Sequence, residues 1–427
     1  MPRVHVLVGT RKGAFVYSSD ENRENWQISE PMMPGWTVQH MAAETRRGES
    51  RLYAAASHWA WGPSVSRSDD GGKTWDQRSP GLAFPADMGL AVGYVWHVEP
   101  GHESQPGVIY AGTQPAAMFR SDDWGESWAP VEAITRHKLR PLWGPTGSVG
   151  ESSLHSIQVD PRDAKRVFIS ISSGGSYMTE DGGETWTLCS HGVVVTTPAA
   201  KAFLAEIAEM FPNPELPEGV DPAALDEFHK LRLDRKNPDR LWGQSHVGVF
   251  KSEDRGQHWE DVTNGLPSFH GFPIAVTKRG PDRVFVMPLE FEANNFRVCP
   301  GQLAVYRTDD TGKTWERLTN GLPGPHNYQS AYRQAMDTDG AESEGVYLGT
   351  TNGEVYYGQD GGDQWVRLPG TLPPILSVTA FESGTAGLYG GAATQTKRAA
   401  LQAALFVLVL ASGCHARMSR RCCWRSM

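Results

Sequence analysis

Short stretches in which apolar and polar residues alternate recur along the chain. Two examples run from His155 to Val159 and from His229 to Leu233. A period of two predicts β-strands with one buried face. Each such stretch precedes a second apolar run in which a β-branched residue or leucine is followed by an aromatic residue. These pairs are Leu52-Tyr53, Ile109-Tyr110, Val167-Phe168, Leu241-Trp242, Val284-Phe285 and Val346-Tyr347.

A turn-forming box, Ser/Thr-x-Asp-x-Gly-x-x-Trp, follows each aromatic pair. Its six copies are Ser68–Trp75, Ser121–Trp128, Thr179–Trp186, Ser252–Trp259, Thr308–Trp315 and, with glycine in first place, Gly358–Trp365. A degenerate copy runs from Ser18 to Trp26. Asp and Ser/Thr side chains bond to nearby backbone N–H groups in tight turns, and glycine adopts backbone angles that other residues avoid. We therefore interpret these aspartates as fold elements and not as catalytic carboxylates.

The repeats predict an all-β protein, a seven-bladed β-propeller with four-stranded blades. Each blade is strand A, strand B with the aromatic pair, strand C, the Asp-box turn and strand D. The N-terminal blade begins with strands B and C, at 4–8 and 13–17, and lacks a strand A. An unassigned strand at 375–380 supplies it, so the C-terminal strand closes the ring and removes an open sheet edge.

Composition and the chain ends narrow the class of protein. The chain has 427 residues, 46 glycines and a formal net charge of −9, which argues against nucleic acid or an anionic membrane as partner. Val4 already belongs to a blade, so no secretory signal is expected and the cytoplasm is the predicted location. Residues 1–383 form the propeller. The Ala- and Arg-rich segment 384–427 is interpreted as a disordered or non-native tail from read-through or a frameshift.

Several segments resemble the bacterial BNR/Asp-box propeller family, which is often labelled sialidase-like. They are VHVLVGTRKGAF (4–15), VWHVEPG (95–101), FPI (272–274) and LPPILSV (372–378). The resemblance implies the propeller fold, and the family is also labelled glycosyl-hydrolase-like, without an established activity. A classical sialidase is not expected, because Arg-Ile-Pro is missing and no arginine triad is found. Arg333 is the one arginine beside the starts of the A strands, and Tyr332 has no identifiable glutamate partner.

The long connections fall on the face opposite the Asp-box turns, where the D–A and B–C loops gather. Long loops at one end of a rigid scaffold usually carry function. The longest, 191–228, contains Thr197-Pro198 and an apolar i, i+3, i+4 stripe, which predicts a short helix. Covering the channel mouth and packing on the flank are equally compatible with this helix.

Four histidines recur at one counted position, twelve residues before each aromatic pair. They are His40, His97, His155 and His229. Converging imidazoles hold divalent transition metals such as Fe, Zn, Mn or Ni, so a metal site is one interpretation. Packing between blades, with hydrogen bonds to carbonyl groups, is the other. Glu151 lies four residues before His155 and is a candidate acid/base or orienting group.

Three classes of function remain. An enzyme of glycosidase-like or metal-dependent kind would use Glu151, Arg333 and Tyr332. A binding module for a glycan or another small ligand would use exposed aromatic residues, and a protein partner or assembly scaffold is the third class. The candidate ligand-binding residues are Trp59, Trp61, Arg11, His246 and His270.

Overall fold

A computed structural model describes residues 3–45, 50–144, 151–210, 218, 226–290 and 301–383. The strands form seven antiparallel sheets in a closed ring. This confirms the predicted seven-bladed propeller. The prediction for the tail, 384–427, lies outside the described residues.

Each blade contributes one A strand to the wall of the central channel. From blade 1 to blade 7 the A strands are Ile375–Ser383, Thr37–Glu44, Tyr94–Pro100, Leu154–Val159, Phe228–Leu233, Gly271–Val276 and Met336–Thr338. The B strands are Arg3–Thr10, Arg51–His58, Ile109–Gln114, Val167–Ile171, Leu241–Ser245, Val284–Pro288 and Val346–Gly349. Neighbouring A strands contact one another around the ring.

The outer half of each blade is shorter. The C strands are Gly13–Asp20, Gly62–Ser68, Met118–Ser121, Gly175–Thr179, Val249–Ser252, Val305–Thr308 and Val355–Gln359. The D strands are Gln27–Ile28, Ala129–Pro130, Thr187–Leu188, Glu260–Asp261, Glu316–Leu318 and Gln364–Arg367. In blade 2 the D strand is reduced to the bridge between Arg67 and Asp76.

The first blade is built from both ends of the described chain. Val6 pairs with Ala380 and Val8 with Val378, in antiparallel register. His5 is buried there, with Nδ1 2.8 Å from Ser18 Oγ and Nε2 3.0 Å from Ser383 Oγ. The predicted ring closure is therefore present, and it is held by backbone pairing and by a buried imidazole.

The Asp-box turns have the expected hydrogen bonds. In the copy at Ser68–Trp75, Asp70 Oδ1 accepts from the Thr74 N–H at 2.9 Å and Asp70 Oδ2 from Thr74 Oγ1 at 2.6 Å. Gly72, at φ 93°, donates its N–H to Ser68 Oγ. The equivalent hydrogen bonds from Thr314 and Thr308 lower the pKa of Asp310 to about 2. These carboxylates therefore act as hydrogen-bond acceptors within their own turns.

Two α-helices occur in the described part of the chain, Glu132–Thr135 (α1) and Pro198–Met210 (α2), with 3₁₀ turns at Ala86–Met88 and Arg140–Leu142. The predicted helix after Thr197 is therefore confirmed. Neither helix is long and apolar enough to cross a membrane.

Candidate functional site

A chain of buried polar side chains crosses the middle of the channel. Lys230 Nζ donates to Gln334 Oε1, and Gln334 Nε2 donates to the carbonyl of His155 at 2.6 Å. The same amide nitrogen lies 3.3 Å from His97 Nδ1. We call these four residues, Lys230, Gln334, His155 and His97, the polar bridge. It joins the A strands of blades 3, 4 and 5 to Gln334, which lies two residues before the A strand of blade 7.

Counting back from the aromatic pairs placed four histidines at one repeat position, but in the structure they occupy two different positions on strand A. The first residue of the aromatic pair, Leu52 or Ile109, pairs with the third residue after His40 or His97. The corresponding residues in blades 4 and 5 pair with the fourth residue after His155 or His229. His155 and His229 themselves lie at β-bulges, which re-aim side chains. The expectation that all four share one position is therefore wrong by one residue.

This offset divides the predicted metal ligands. His40 and His97 stack with ring centroids 4.1 Å apart, and His155 Nδ1 lies 3.2 Å from Ser156 Oγ. His229 lies instead beside His246 and His270, with ring centroids 5.1 and 5.3 Å away. Burial lowers the pKa of all four predicted ligands well below 6.5, so they are neutral at neutral pH.

Away from the Asp-box turns, the channel ends in a histidine cluster, formed by Glu227, His229, His246 and His270. His229 Nε2 lies 3.2 Å from His246 Nδ1 and 3.7 Å from Glu227 Oε1. Within the described ranges, Glu227, His229 and His246 are the group whose ligand atoms have metal-binding spacing. His270 Nδ1 contacts the carbonyl of His246 at 3.2 Å.

Arg333, which was predicted to lie beside the starts of the A strands, contacts this cluster. Its Nη2 lies 3.4 Å from Glu227 Oε1. Its guanidinium carbon lies 5.7 Å from the centroid of the Trp96 ring and 5.4 Å from that of Phe272. The guanidinium is thus stacked between aromatic rings and held against a carboxylate.

Tyr332 and Glu151 contact residues different from those that Arg333 contacts. Tyr332 OH accepts a hydrogen bond from Arg11 Nη2 at 3.1 Å. Glu151 is exposed, and its backbone carbonyl accepts from Gln114 Nε2 at 3.1 Å. The three predicted catalytic residues thus have different partners: Arg11 for Tyr332, Gln114 for Glu151 and Glu227 for Arg333.

The tryptophans of the blade 2 B–C loop face solvent. Trp59 is 92% exposed and Trp61 is 77% exposed. Their rings lie 5.7 and 6.3 Å from that of His58, which they flank in sequence. Exposed aromatic faces of this kind bind sugar rings or apolar partners.

Helix α2 covers part of the histidine cluster. The ring of Phe203 stacks on that of His246, with 6.0 Å between centroids, and lies tilted against that of Phe269, with 5.6 Å between centroids. Of the two placements that the sequence left open for this helix, the one at the channel mouth agrees with these contacts.

The opposite end of the channel, on the Asp-box face, contains a cavity of about 640 Å³, lined by the last residues of the A strands and by the A–B loops. We call it the channel cavity. Glu99, Gln158, Arg232 and Asp337 line it, and each pairs with the aromatic residue of its strand B. One structural position thus supplies a carboxylate, an amide, a guanidinium and a second carboxylate around the axis. A volume of this size suits a small ligand.

The two carboxylates of this ring have opposite pKa shifts. Burial raises the pKa of Glu99, and the negative charge of Asp337 contributes in the same direction. Burial also opposes ionisation of Asp337, but Lys278 and Arg232 lower its pKa overall. Lys278 Nζ lies 2.9 Å and the Ala380 N–H 3.0 Å from Asp337 Oδ2. Relative to an ordinary carboxyl group, the surroundings thus favour the protonated form of Glu99 and the ionised form of Asp337.

Sequence reasoning missed this pair, although a signal for it was present. Glu99 and Asp337 are the polar residues at the A-strand position opposite the strand-B aromatic, where blades 2 and 6 have Ala42 and Ala275. Comparing that position between blades would have found them. Attention to the long loops directed the prediction to the other face.

The fold and these two sites define the class of protein, a seven-bladed propeller with a separate polar site at each end of its central channel. No family model matches the chain. It is 23% identical over 225 residues to the oligoxyloglucan-reducing end-specific xyloglucanase of Emericella nidulans, across 49% of this chain and 25% of that protein. It is 22% identical over 314 residues to a xyloglucanase of Paenibacillus sp., across 68% of this chain and 26% of that protein.

A solved structure agrees on the fold. The crystal structure of an ancestral GH74 enzyme matches with a TM-score of 0.50 at 15% identity, across 81% of this chain and 38% of that chain. The chain spans about a quarter of the length of the curated relatives described above. The solved structure therefore supports the propeller fold, the sequence similarity is to xyloglucanases, and the specifically sialidase-like assignment has no support from either.

Proposed function

We propose that the protein is a glycosidase-like enzyme that binds a saccharide in the channel cavity. The observation that carries this proposal is the pair Glu99 and Asp337, two carboxyl groups of opposite pKa shift in one cavity of ligand size. Glycoside hydrolysis needs such a pair, one protonated and one ionised. The two catalytic roles would then lie on the Asp-box face, away from Glu151, Arg333 and Tyr332.

The roles follow from the surroundings of each group. The side chain of Glu99 is 20% exposed, so it can reach a ligand, and its raised pKa favours the protonated form that donates to a leaving oxygen. The side chain of Asp337 is 7% exposed and held by Lys278, so its role is to remain ionised and stabilise positive charge on the sugar. Arg232 and Arg235, also in the cavity lining, supply donors for sugar hydroxyl groups.

The substrate class is proposed from the relatives. Two xyloglucanases are similar to this chain over half to two thirds of its length. We therefore propose oligosaccharides of β-glucan or xyloglucan type as ligands. Because the chain spans only a quarter of each relative, this substrate assignment depends on direct assay.

The test is hydrolysis of a panel of labelled xyloglucan and β-glucan oligosaccharides, followed by chromatography. We expect Glu99→Gln to lower kcat/KM by about 10²- to 10⁴-fold, because the proton donor is lost. Glu103→Gln is the matched control, since Glu103 is an exposed carboxylate in the same cavity lining. Hydrolysis by Glu99→Gln at the rate of the unmodified protein, or no hydrolysis of any glycan in the panel, would refute the proposal.

A second candidate function, non-catalytic glycan binding, is favoured by the exposure of Trp59 and Trp61. Stacking on tryptophan would hold a sugar on the face opposite the channel cavity. A glycan array read with Trp59→Ala and Trp61→Ala tests it. Glycan binding that is kept in both tryptophan variants but lost in Glu99→Gln would indicate that the ligand binds in the channel cavity.

A further inference from the structure

We infer that Glu227, His229 and His246 form a binding site for a divalent transition metal ion, with Zn²⁺ as the best-matched ion. This inference is independent of the proposed glycosidase activity, because it concerns the other end of the channel. All three residues belong to blade 5: Glu227 and His229 lie at the start of its A strand and His246 lies in its B–C loop. One blade therefore supplies the whole set.

The spacing of the ligand atoms suits a single ion. His229 Nε2 lies 3.2 Å from His246 Nδ1 and 3.7 Å from Glu227 Oε1, and His246 Nδ1 lies 4.0 Å from Glu227 Oε2. Ligands at Zn²⁺ bond lengths and tetrahedral angles stand roughly 3.3 Å apart. The two oxygens of Glu227 face different histidines, and a shift of this carboxylate would bring one of its oxygens and both ring nitrogens into coordination of a single ion.

The tautomer of His229 is already the one that a metal requires. Its Nδ1 lies 2.6 Å from the carbonyl oxygen of Gly271, an atom that only accepts, so Nδ1 carries the hydrogen. The lone pair is then on Nε2, which faces His246 and Glu227. A backbone carbonyl behind a ligating histidine is the usual orienting contact at metal sites. Without a metal, the same Nε2 accepts a hydrogen bond from His246 Nδ1.

The surroundings orient the carboxylate and limit access of water. Ser173 Oγ donates to Glu227 Oε2 at 3.3 Å, and Arg333 Nη2 lies 3.4 Å from Glu227 Oε1. The guanidinium fixes the carboxylate but also competes with a cation, which lowers the expected affinity. The ring of Phe203 covers His246, whose side chain is 28% exposed. The site is thus reachable from the loop face and shielded on one side.

Two imidazoles and one carboxylate leave a fourth tetrahedral position for water or a ligand. Three of the histidines singled out by the repeat, His40, His97 and His155, take no part. The assignment therefore replaces a four-histidine ring by a site of mixed nitrogen and oxygen ligands within one blade.

The test is Zn²⁺ binding by equilibrium dialysis with metal quantified by mass spectrometry. The protein is the full-length chain without a histidine tag, stripped with chelator, in a Cys414→Ser, Cys422→Ser, Cys423→Ser background so that tail thiols do not contribute. We expect one Zn²⁺ per chain. Glu227→Gln and His246→Gln should each weaken binding by at least about tenfold. His258→Gln is the control, because His258 is an exposed histidine of an Asp-box turn.

Cobalt supplies a spectroscopic readout. Co²⁺ in the same protein should give the intense visible absorption of a four-coordinate ion, and His246→Gln should abolish it. The His246 side chain is 28% exposed whereas His229 is buried, so this variant is expected to fold even where His229→Gln does not. The inference is overturned if the protein binds no Zn²⁺ above the level of the Glu227→Gln, His246→Gln double variant. It is also overturned if binding is lost in His40→Gln or His97→Gln and kept in His246→Gln.

Discussion

The two ends of the central channel are built from the same repeat, yet they differ in kind. At the Asp-box end, the A and B strands are in regular register, so one position recurs around the axis and supplies Glu99, Arg232 and Asp337. At the other end, β-bulges at His155 and His229 interrupt the register. Regular pairing there gives way to loops, and the result is a cluster drawn from two adjacent blades, with Glu227, His229 and His246 from blade 5 and His270 from blade 6.

This difference has a general consequence for propellers. Where strands pair regularly, a site is a ring and its members can be found by comparing blades. Where bulges and long loops meet, a site is local and its members share no repeat position. The polar bridge of Lys230, Gln334, His155 and His97 lies between the two sites, and we therefore expect each end to respond separately to substitution.

The largest expected effect separates the two ends by function. Asp337→Asn should lower hydrolysis of the responsive glycan by at least about 10²-fold, because the ionised carboxylate that stabilises positive charge is lost. The same variant should bind Zn²⁺ as the unmodified protein does. Paired kinetic and dialysis measurements on one preparation provide the comparison.

The reciprocal variant completes this test. Glu227→Gln should lose metal affinity while kcat/KM changes by less than about twofold. A loss of hydrolysis in Glu227→Gln equal to that in Asp337→Asn would mean that the two ends form one site, and the division proposed here would be incorrect.

Breaking the polar bridge should have the next largest effect, on stability. Gln334→Leu leaves the buried amine of Lys230 and the carbonyl of His155 without this partner, which should lower the free energy of unfolding by about 3–5 kcal/mol. Adding Lys230→Met should recover much of the loss, because both polar partners are then removed. Urea denaturation of the two single variants and the double variant measures the coupling energy between Gln334 and Lys230. Purely additive losses in the free energy of unfolding would contradict this coupling.

The sequence allowed the fold to be predicted almost completely. The box residues from Ser68 to Trp75 have a local physical cause, and the strand at 375–380 had no partner other than the first blade. The sites were less accessible. The connection between strands A and B is one residue shorter in blades 4 and 5 than in blades 2 and 3, with no composition signal, so His155 and His229 counted as equivalent to His40 and His97. Glu99 and Asp337 were hidden because a pKa shift arises from burial and from charges on other blades, such as Lys278.

Ring closure, which holds both ends in place, should respond to acid. Burial lowers the pKa of His5 from 6.5 to about 4, with Arg3 acting in the same direction. As the pH falls, His5 therefore binds a proton in the unfolded chain before it does so in the folded protein. The contribution of neutral His5 to the free energy of unfolding is complete above pH 6.5 and is lost as the pH falls toward 4, by up to about 3 kcal/mol. The free energy of unfolding of His5→Gln should fall less between pH 6.5 and 4 than that of the unmodified protein. Equal slopes would contradict this role, and His258→Gln serves as the control with an exposed imidazole.

The smallest expected effect distinguishes two kinds of carboxylate on the same face. Asp70 lies on the Asp-box face with the channel cavity, but its oxygens accept from Thr74 and Ser68 within the turn. Asp70→Ala should lower the free energy of unfolding by about 1–2 kcal/mol, as expected for a lost side-chain cap, and leave kcat/KM unchanged. Asp70→Asn keeps part of the hydrogen bonding and should lose less. Thermal unfolding with a parallel activity assay measures both quantities. A drop in kcat/KM without a drop in stability would place catalysis in the turns, whereas the predicted result assigns the turn carboxylates to the fold and leaves Glu99 and Asp337 as the reactive pair.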